Sequence, residues 1–157
     1  LDEGMQSLAE VIKKTTGKDI TNYPGAGAAR GMGGGLLAFF NAELKPGTEL
    51  LLKAIDFSEK IKGADLIITG EGKADQQTAM GKVPYGILKE AQKEHIPVIV
   101  LAGSIENLPE LNKAGFKGIF SIAPGPITLE KAMEPEFAKE NITRLVSQLY
   151  SVITSFG

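Results

Sequence analysis

From residue 63 onward the sequence alternates between short apolar runs and amphipathic segments, and this alternation restricts the fold more than any other feature. The apolar runs predict strands at 65–69, 98–101 and 118–122. Helical spacing predicts helices at 83–94, 109–114 and 135–153, and the apolar stripe of the last helix is expected to be core. Strands joined through helices by short loops form parallel sheets with right-handed crossovers. The alternation therefore predicts an α/β fold with three layers.

Residues 1–62 have a different character and are expected to be mostly helical. An amphipathic helix ends near Gly17, and the glycine-rich segment 25–35 leads into an apolar helix at 36–40. Three strands make a thin sheet for 157 residues, and the chain opens at Leu1 already within a helical pattern. We therefore expect a Rossmann- or flavodoxin-like parallel sheet with flanking helices that is incomplete without N-terminal sequence missing from this chain.

Composition excludes several classes of function. A net charge of −2, with Lys and Arg spread along the chain, does not favour nucleic acid or an anionic membrane as a partner. The chain has no Cys, so it has no disulfide framework and no thiolate nucleophile. No apolar run reaches the roughly 18 residues of a membrane span. We expect a cytoplasmic protein with a packed core.

The stretch 69–78 combines glycines with ionisable side chains directly after a predicted buried strand. Its polar residues are Glu71, Lys73, Asp75, Gln77 and Thr78. Ligands of open α/β folds bind beyond the carboxyl ends of the strands, which favours a functional role here. Glu71 and Asp75 can hold Mg²⁺, or one of them can act as a general base toward a hydroxyl, while Lys73 neutralises phosphate. The alternative is a polar loop that caps the next helix.

The glycine-rich segment 25–35 admits two interpretations. Glycines at a helix start free backbone N–H groups for an anion, and Arg30 can clamp a carboxylate or phosphate. Close helix packing through small residues, with Arg30 facing solvent, explains the same pattern. The segment is neither a P-loop nor a clean dinucleotide fingerprint.

Two further polar residues lie near predicted element ends. Ser104 follows the second predicted strand and can contact a ligand, or it caps the following helix. Lys82 precedes a predicted helix and can reach an anion, although a solvated lysine is the favoured interpretation.

Several motifs, in this order, resemble the type I bacterial glycerate kinase family. The most specific are Pro-Gly-Ala-Gly-Ala-Ala at 24–29 and Thr-Gly-Glu-Gly-x-x-Asp-x-Gln-Thr at 69–78. Gly-Lys-Val-Pro at 81–84 and Ser-Ile-Ala-Pro-Gly-Pro at 121–126 continue the likeness through nearly the whole chain. Members of that family are considerably longer, so the chain resembles the carboxyl-terminal portion of a two-domain kinase, with 1–62 mostly helical and 63–157 alternating.

The resemblance implies ATP- and Mg²⁺-dependent phosphorylation of D-glycerate, with 2-phosphoglycerate as the expected product. It implies catalytic roles for Glu71, Lys73 and Asp75, with Asp75 and Glu71 as metal ligands. By the resemblance, Gly70, Gly72, Gln77 and Thr78 would also line the active cleft, and Gly25 and Gly27 would contribute an anion-binding edge. Arg30 and Ser104 are candidates for substrate or phosphate binding from their positions in the sequence. The implied partner is the missing N-terminal part of the same enzyme, so this chain alone is expected to be inactive.

Two alternatives belong to other classes. The same loops would serve a non-catalytic small-acid or nucleotide-binding module, which ATP consumption in the presence of D-glycerate would distinguish from a kinase. A Rossmann-type oxidoreductase ranks lower because the strand–Gly-x-Gly-x-x-Gly–helix context and its ribose-binding acid are missing.

Overall fold

The computed structural model describes residues 2–106 and 108–156. The chain divides into two compact units, Leu1–Pro46 and Gly47–Gly157, and each is described by itself.

The first unit packs two helices around a small apolar core. Helix α1 covers Asp2–Thr16 and ends at Gly17, whose φ of +74° confirms the predicted left-handed helix end. Helix α2 covers Ala28–Phe40. The buried apolar residues of this core are Ala9, Ile12, Ile20, Leu37 and Ala38.

Helix α2 corrects the prediction of a glycine loop that becomes helical near residue 36. Helical structure starts at Ala28 and is interrupted by a kink at 29–31, where every φ is positive. Gly33 and Gly34 lie inside the helix and are buried. A Cβ on Gly33 would clash with the carbonyl oxygen of Gly25, so close packing favours glycine in spite of its poor helix propensity.

The second unit contains six helices, three strands and two short 3₁₀ helices in the part of the chain that the structure describes. In chain order they are α3 (Gly47–Ala54), α4 (Phe57–Lys60), β1 (Ile67–Ala74), a 3₁₀ helix (Gln76–Met80), α5 (Val83–Lys93), β2 (Val98–Ile105), α6 (Leu108–Ala114), β3 (Gly118–Ser121), α7 (Leu129–Ala132), α8 (Pro135–Ile153) and a 3₁₀ helix (Thr154–Phe156).

The three strands form one open parallel sheet in the order β1-β2-β3, which confirms the predicted fold class. Strand β2 is central, and the five residues from Val98 to Ala102 are all buried. This continuous apolar run is typical of a parallel strand covered on both faces. Leu88 and Ala91 of α5 and Leu111 of α6 belong to the same core cluster.

Strands β1 and β2 are longer than predicted. The prediction of a loop after Thr69 is wrong, because β1 continues to Ala74, which pairs with Ile105 of β2. Gly, Glu and Lys are uncommon in strands, so local propensity misses this extension. The pairing of the two strands and the complete burial of Ala74 outweigh that propensity.

The apolar stripe of the last helix is not core in the part of the chain that the structure describes, contrary to prediction. Ile142, Val152 and Ile153 are 42%, 56% and 45% exposed, and the buried residue of α8 is Asn141. Asn141 and Phe137, near the start of the helix, line a small cavity together with Gly103 and Ile122. The first turns of α8 therefore pack near the strand ends. In the later turns Leu145, Val146 and Leu149 are half-buried.

Candidate active site at the carboxyl end of the first strand

Three charged side chains from consecutive elements meet near the end of β1. Glu71 lies on β1, Asp75 directly follows that strand, and Lys82 is the N-cap residue of α5. The Lys82 ammonium lies 3.1 Å from Asp75 Oδ1 and 3.7 Å from Glu71 Oε2. The side chains of Glu71, Asp75 and Lys82 are 13%, 21% and 36% exposed, so the group is partly shielded from water.

Asp75 begins the 3₁₀ helix through a reciprocal cap. Its Oδ1 accepts hydrogen bonds from the backbone N–H groups of Gln77 and Thr78, at 2.9 and 3.3 Å. The Thr78 hydroxyl oxygen in turn accepts from the N–H of Asp75 at 3.0 Å. This is a capping box, in which two side chains satisfy each other's backbone donors. This stretch therefore caps a helix, as the alternative interpretation predicts, and the cap does not exclude a functional role.

The Lys82 ammonium and the cap both favour the ionised form of Asp75. The hydrogen bond from Lys82 is the largest influence holding the pKa of Asp75 below its ordinary value, and partial burial opposes it. An efficient general base has a pKa near the working pH. Asp75 is therefore better suited to bind a cation or orient a ligand than to take a proton.

Glu71 differs from Asp75 because one of its oxygens is both buried and without a hydrogen-bond partner among the described residues. This oxygen, Oε1, is buried, while Oε2 faces Lys82. Leaving a buried acceptor unpaired costs roughly 1–3 kcal/mol, so a donor from a ligand would be bound favourably there. Glu71 is therefore the carboxylate of this group with a buried, unpaired oxygen.

The structure places Lys73 and Ser104 beside one another on the outer rim of the sheet. They are register partners on β1 and β2, and both are exposed. The Lys73 ammonium pairs with Glu106 Oε1 at 2.8 Å, and this hydrogen bond raises the pKa of Lys73. Lys73 is therefore engaged away from the two carboxylates, and the lysine that joins them is Lys82.

Lys82 corrects the favoured prediction of a solvated lysine. The signal for its position lies in the sequence itself, because Asp75 is a good cap for a short helical turn and Gly81 is a good residue to end one. Such a turn brings residue 82 back beside Asp75. Of the other predicted residues, Gly70, Gly72 and Gln77 are exposed near the end of β1, and Thr78 is fully buried.

The glycine segment lies within the first unit, and its surroundings are more apolar than those of the charged group at the end of β1. Backbone N–H groups of Ala28, Gly31 and Gly34 donate to carbonyls of Gly25, Gly27 and Ala26. A pocket of about 190 Å³ beside it is lined by Met5, Gln6, Leu8, Ala9, Ile20, Thr21, Ala26, Gly27 and Gly31. Arg30 is exposed, with φ of +60°. These features favour the packing interpretation, and the anion-binding role of Gly25, Gly27 and Arg30 stays a prediction.

Two kinds of feature are absent from the described residues. No group of three or more His, Cys, Asp or Glu side chains there is arranged to hold a metal ion. No helix within 2–106 and 108–156 has the length and apolar character needed to cross a membrane.

Open α/β folds bind ligands beyond the carboxyl ends of their parallel strands, and the converging charged groups of this chain lie at such a strand end. The model of the glycerate kinase family matches residues 1–154. The chain belongs to the glycerate kinase family.

Relatives with sequence similarity over most of the chain bear names of the same kind. The chain is 41% identical to a glycerate kinase from Bacillus cereus, over 97% of this chain and 40% of the relative. It is 42% identical to glycerate 2-kinase from Escherichia coli K12, over 92% of this chain and 38% of the relative. The chain therefore spans about two fifths of the length of these relatives.

A solved structure has the same fold. A protein from Salmonella typhimurium LT2 assigned as glycerate kinase 2 superposes with a TM-score of 0.68 at 33% identity. The match covers 96% of this chain and 37% of that one.

Proposed function

We propose that this chain supplies part of the active cleft of a kinase that transfers the γ-phosphoryl group of ATP to D-glycerate, with 2-phosphoglycerate as product. Family membership and the names of the relatives support this activity. We assign the activity to particular residues because Glu71, Asp75 and Lys82 converge after β1. In this proposal the chain acts with an N-terminal part of the same enzyme.

Phosphoryl transfer requires mainly positioning and neutralisation of charge. A glycerate hydroxyl oxygen attacks the γ-phosphorus, the bond to the ADP oxygen breaks, and the hydroxyl proton leaves to an acceptor. Glu71 suits the acceptor or orienting role because its Oε1 has no hydrogen-bond partner among the described residues. Asp75 suits cation binding, since its pKa is held below the ordinary value.

The residues present fit Mg²⁺ as the metal. Mg²⁺ prefers oxygen ligands and is commonly held by one or two carboxylates, with waters and substrate phosphates completing its shell. Asp75 uses Oδ1 for its cap, which leaves Oδ2 for the metal. Glu71 Oε1 would serve either the metal or the substrate hydroxyl, but not both. When bound, Mg²⁺ would supply neutralisation of the phosphate charge.

The remaining predicted residues have supporting roles in this proposal. Lys73 and Ser104 lie on the rim, where Lys73 would meet phosphate after leaving Glu106. Gly70, Gly72, Gln77 and Thr78 would shape the strand end. The anion-binding role of Gly25, Gly27 and Arg30, within the first unit, stays a prediction. A cytoplasmic location stays a prediction of this proposal.

Consumption of ATP by the full-length form, with and without D-glycerate, tests this proposal. A kinase consumes ATP only when D-glycerate is present, and phosphorus NMR of the product identifies the phosphorylated hydroxyl. Binding of glycerate or nucleotide without turnover would contradict the kinase and support the non-catalytic binding module instead.

The isolated 157-residue chain tests the claim that the cleft is shared. We expect little or no turnover from it under conditions where the full-length form is active. Robust turnover by the isolated chain would contradict the need for an N-terminal part.

A further inference from the structure

The backbone of Lys82 lies between the 3₁₀ helix at Gln76–Met80 and helix α5. Lys82 is the N-cap residue of α5, and Pro84 lies in the first turn of that helix. Gly81, immediately before it, ends the 3₁₀ helix that Asp75 begins and has a φ of +129°. Side chains disfavour this backbone conformation, which makes glycine the suitable residue. The side chain of Lys82 therefore starts from a well-defined place beside the carboxylates.

The ammonium of Lys82 joins carboxylates from different parts of the backbone. It hydrogen-bonds Asp75 Oδ1 at 3.1 Å and makes an ionic contact with Glu71 Oε2 at 3.7 Å. Lys93 offers a contrast, since it is 64% exposed and pairs with Glu90 three residues before it on the same helix. Lys82 thus links the strand to the capped turn, whereas Lys93 makes a local surface pair.

Glu71 depends on that link more than Asp75 does. Asp75 is also held by two backbone N–H groups, but the described residues donate no hydrogen bond to Glu71 Oε1. A carboxylate that is largely removed from water needs a compensating cation or hydrogen bonds. The Lys82 ammonium is the cation within ion-pair distance of Glu71.

We propose that Lys82 is the positioning residue of this site: it anchors the Glu71 carboxylate to the Asp75 cap and leaves Glu71 Oε1 available to a proton donor of the ligand. Lys82 acts through Glu71 and transfers no proton itself. The identity of that donor as a glycerate hydroxyl rests on the proposed function, whereas the coupling between Lys82 and Glu71 does not.

Thermal unfolding of the 157-residue chain tests the coupling without any assay of activity. Lys82→Met should lower the melting temperature by about 3 °C or more, because it leaves the Glu71 charge uncompensated. In the Glu71→Gln background the same substitution should lower it by less than half as much. Lys93→Met is the matched control, and its shift should stay within about 1 °C. Equal effects of Lys82→Met in both backgrounds would overturn the proposal.

Kinetics of the full-length form test the positioning role. Lys82→Met should lower kcat at least about tenfold with KM changed less than about threefold, because orientation of Glu71 matters most in the transition state. Lys82→Arg should recover much of that loss. In the Glu71→Gln background, Lys82→Met should cause little further loss of kcat.

Each outcome of the two experiments decides a separate claim. A wild-type protein without glycerate-dependent turnover would overturn the proposed function, while the unfolding cycle would still decide the coupling. Wild-type kcat in the Lys82→Met variant, or additive losses with Glu71→Gln, would overturn the positioning role. Lys82→Gln serves in both experiments if the Met variant does not fold, with the same expected results.

Discussion

The glycine segment of the first unit resembles the end of β1 in sequence but differs from it in structure. Both regions combine glycines with at least one charged residue. At the end of β1, two carboxylates lie within 3.7 Å of the Lys82 ammonium. In the glycine segment, Cβ atoms added to Gly33 and Gly34 would meet packed neighbours, and Arg30 is exposed.

This difference shows that a glycine pattern has to be interpreted through its neighbours. Gly33 is required because the backbone oxygen of Gly25 occupies the space of a Cβ, whereas the atom nearest to a Cβ on Gly34 is the end of the Ile20 side chain. At the end of β1, Gly72 has open space around its Cβ position, and the adjacent charged residues indicate function. The following experiments test this contrast, beginning with the largest expected effect.

Replacement of Asp75 should have the largest consequence. Asp75→Ala in the full-length form should lower kcat by about a hundredfold or more, because it removes a carboxylate from the site and a cap from the 3₁₀ helix. Asp75→Asn retains an acceptor for the cap and should still lose most of the turnover. Steady-state kinetics and circular dichroism measure both effects. Near-normal kcat in folded protein would contradict the role of Asp75.

Gly33 and Gly35 of α2 form a matched pair within the glycine segment. Gly33→Ala should destabilise the chain by about 3 kcal/mol, because the new Cβ would clash with the carbonyl oxygen of Gly25. Gly35 has no atom within 4 Å of its Cβ position, so Gly35→Ala should stabilise by about 0.5 kcal/mol or more. Urea unfolding measures both, and similar effects would contradict the packing interpretation.

Gly103 and Gly72 provide the corresponding pair at the strand ends. A Cβ on Gly103 would lie 2.7 Å from the carbonyl oxygen of Gly72, so Gly103→Ala should cost about 1–2 kcal/mol. Gly72→Ala should cost well under half of that, because its Cβ position is open. The free energies of unfolding from urea titrations compare the two variants. A larger cost at Gly72 would show that the strands approach each other differently.

Arg30 tests the strained backbone of α2. Its φ of +60° is unfavourable for a residue with a side chain, so Arg30→Gly should stabilise the chain by about 1 kcal/mol. Arg144→Gly, within α8, is the control and should destabilise by about 1 kcal/mol, because that helix has regular geometry. Destabilisation by both substitutions would contradict the left-handed conformation at Arg30.

The pH dependence of stability gives the smallest expected effect. The pKa of Asp75 is lower in the folded chain than its ordinary value. The stabilisation from its ionised form is therefore present above the unfolded pKa, near 4, and is lost as the pH falls through the folded pKa. Wild type should lose more stability than Asp75→Asn between pH 6 and about pH 3. If wild type and Asp75→Asn lost the same free energy of unfolding over this pH range, the lowered pKa of Asp75 would be contradicted.

Much of the second unit could be predicted from local pattern. The apolar run at 98–101 and the amphipathic segment at 83–94 correctly predicted a buried strand and a helix. The extension of β1 could not be predicted in this way, because Gly70 to Lys73 join the sheet through pairing with distant residues. The exposure of α8 also depends on tertiary packing, since a helical stripe does not specify its partner.

The candidate site was predicted partly by motif and partly missed. Glu71 and Asp75 were identified by position after a strand, and the structure brings both to the same ammonium. The sequence alone does not predict the contact of Lys82 with Asp75, because the two residues are seven positions apart. The intervening 3₁₀ helix brings the two together. Lys73, nearer in sequence to both carboxylates, pairs with Glu106 instead.

The most direct test of the site is a comparison of kcat for wild type, Glu71→Gln and Lys93→Met in the full-length form. Gln keeps the size of Glu71 but removes the charge of the carboxylate whose Oε1 is unpaired among the described residues. The expected result is a loss of about a hundredfold or more for Glu71→Gln, with Lys93→Met within about twofold of wild type. Wild-type kcat in a folded Glu71→Gln variant would contradict the assignment of the chemistry to the end of β1.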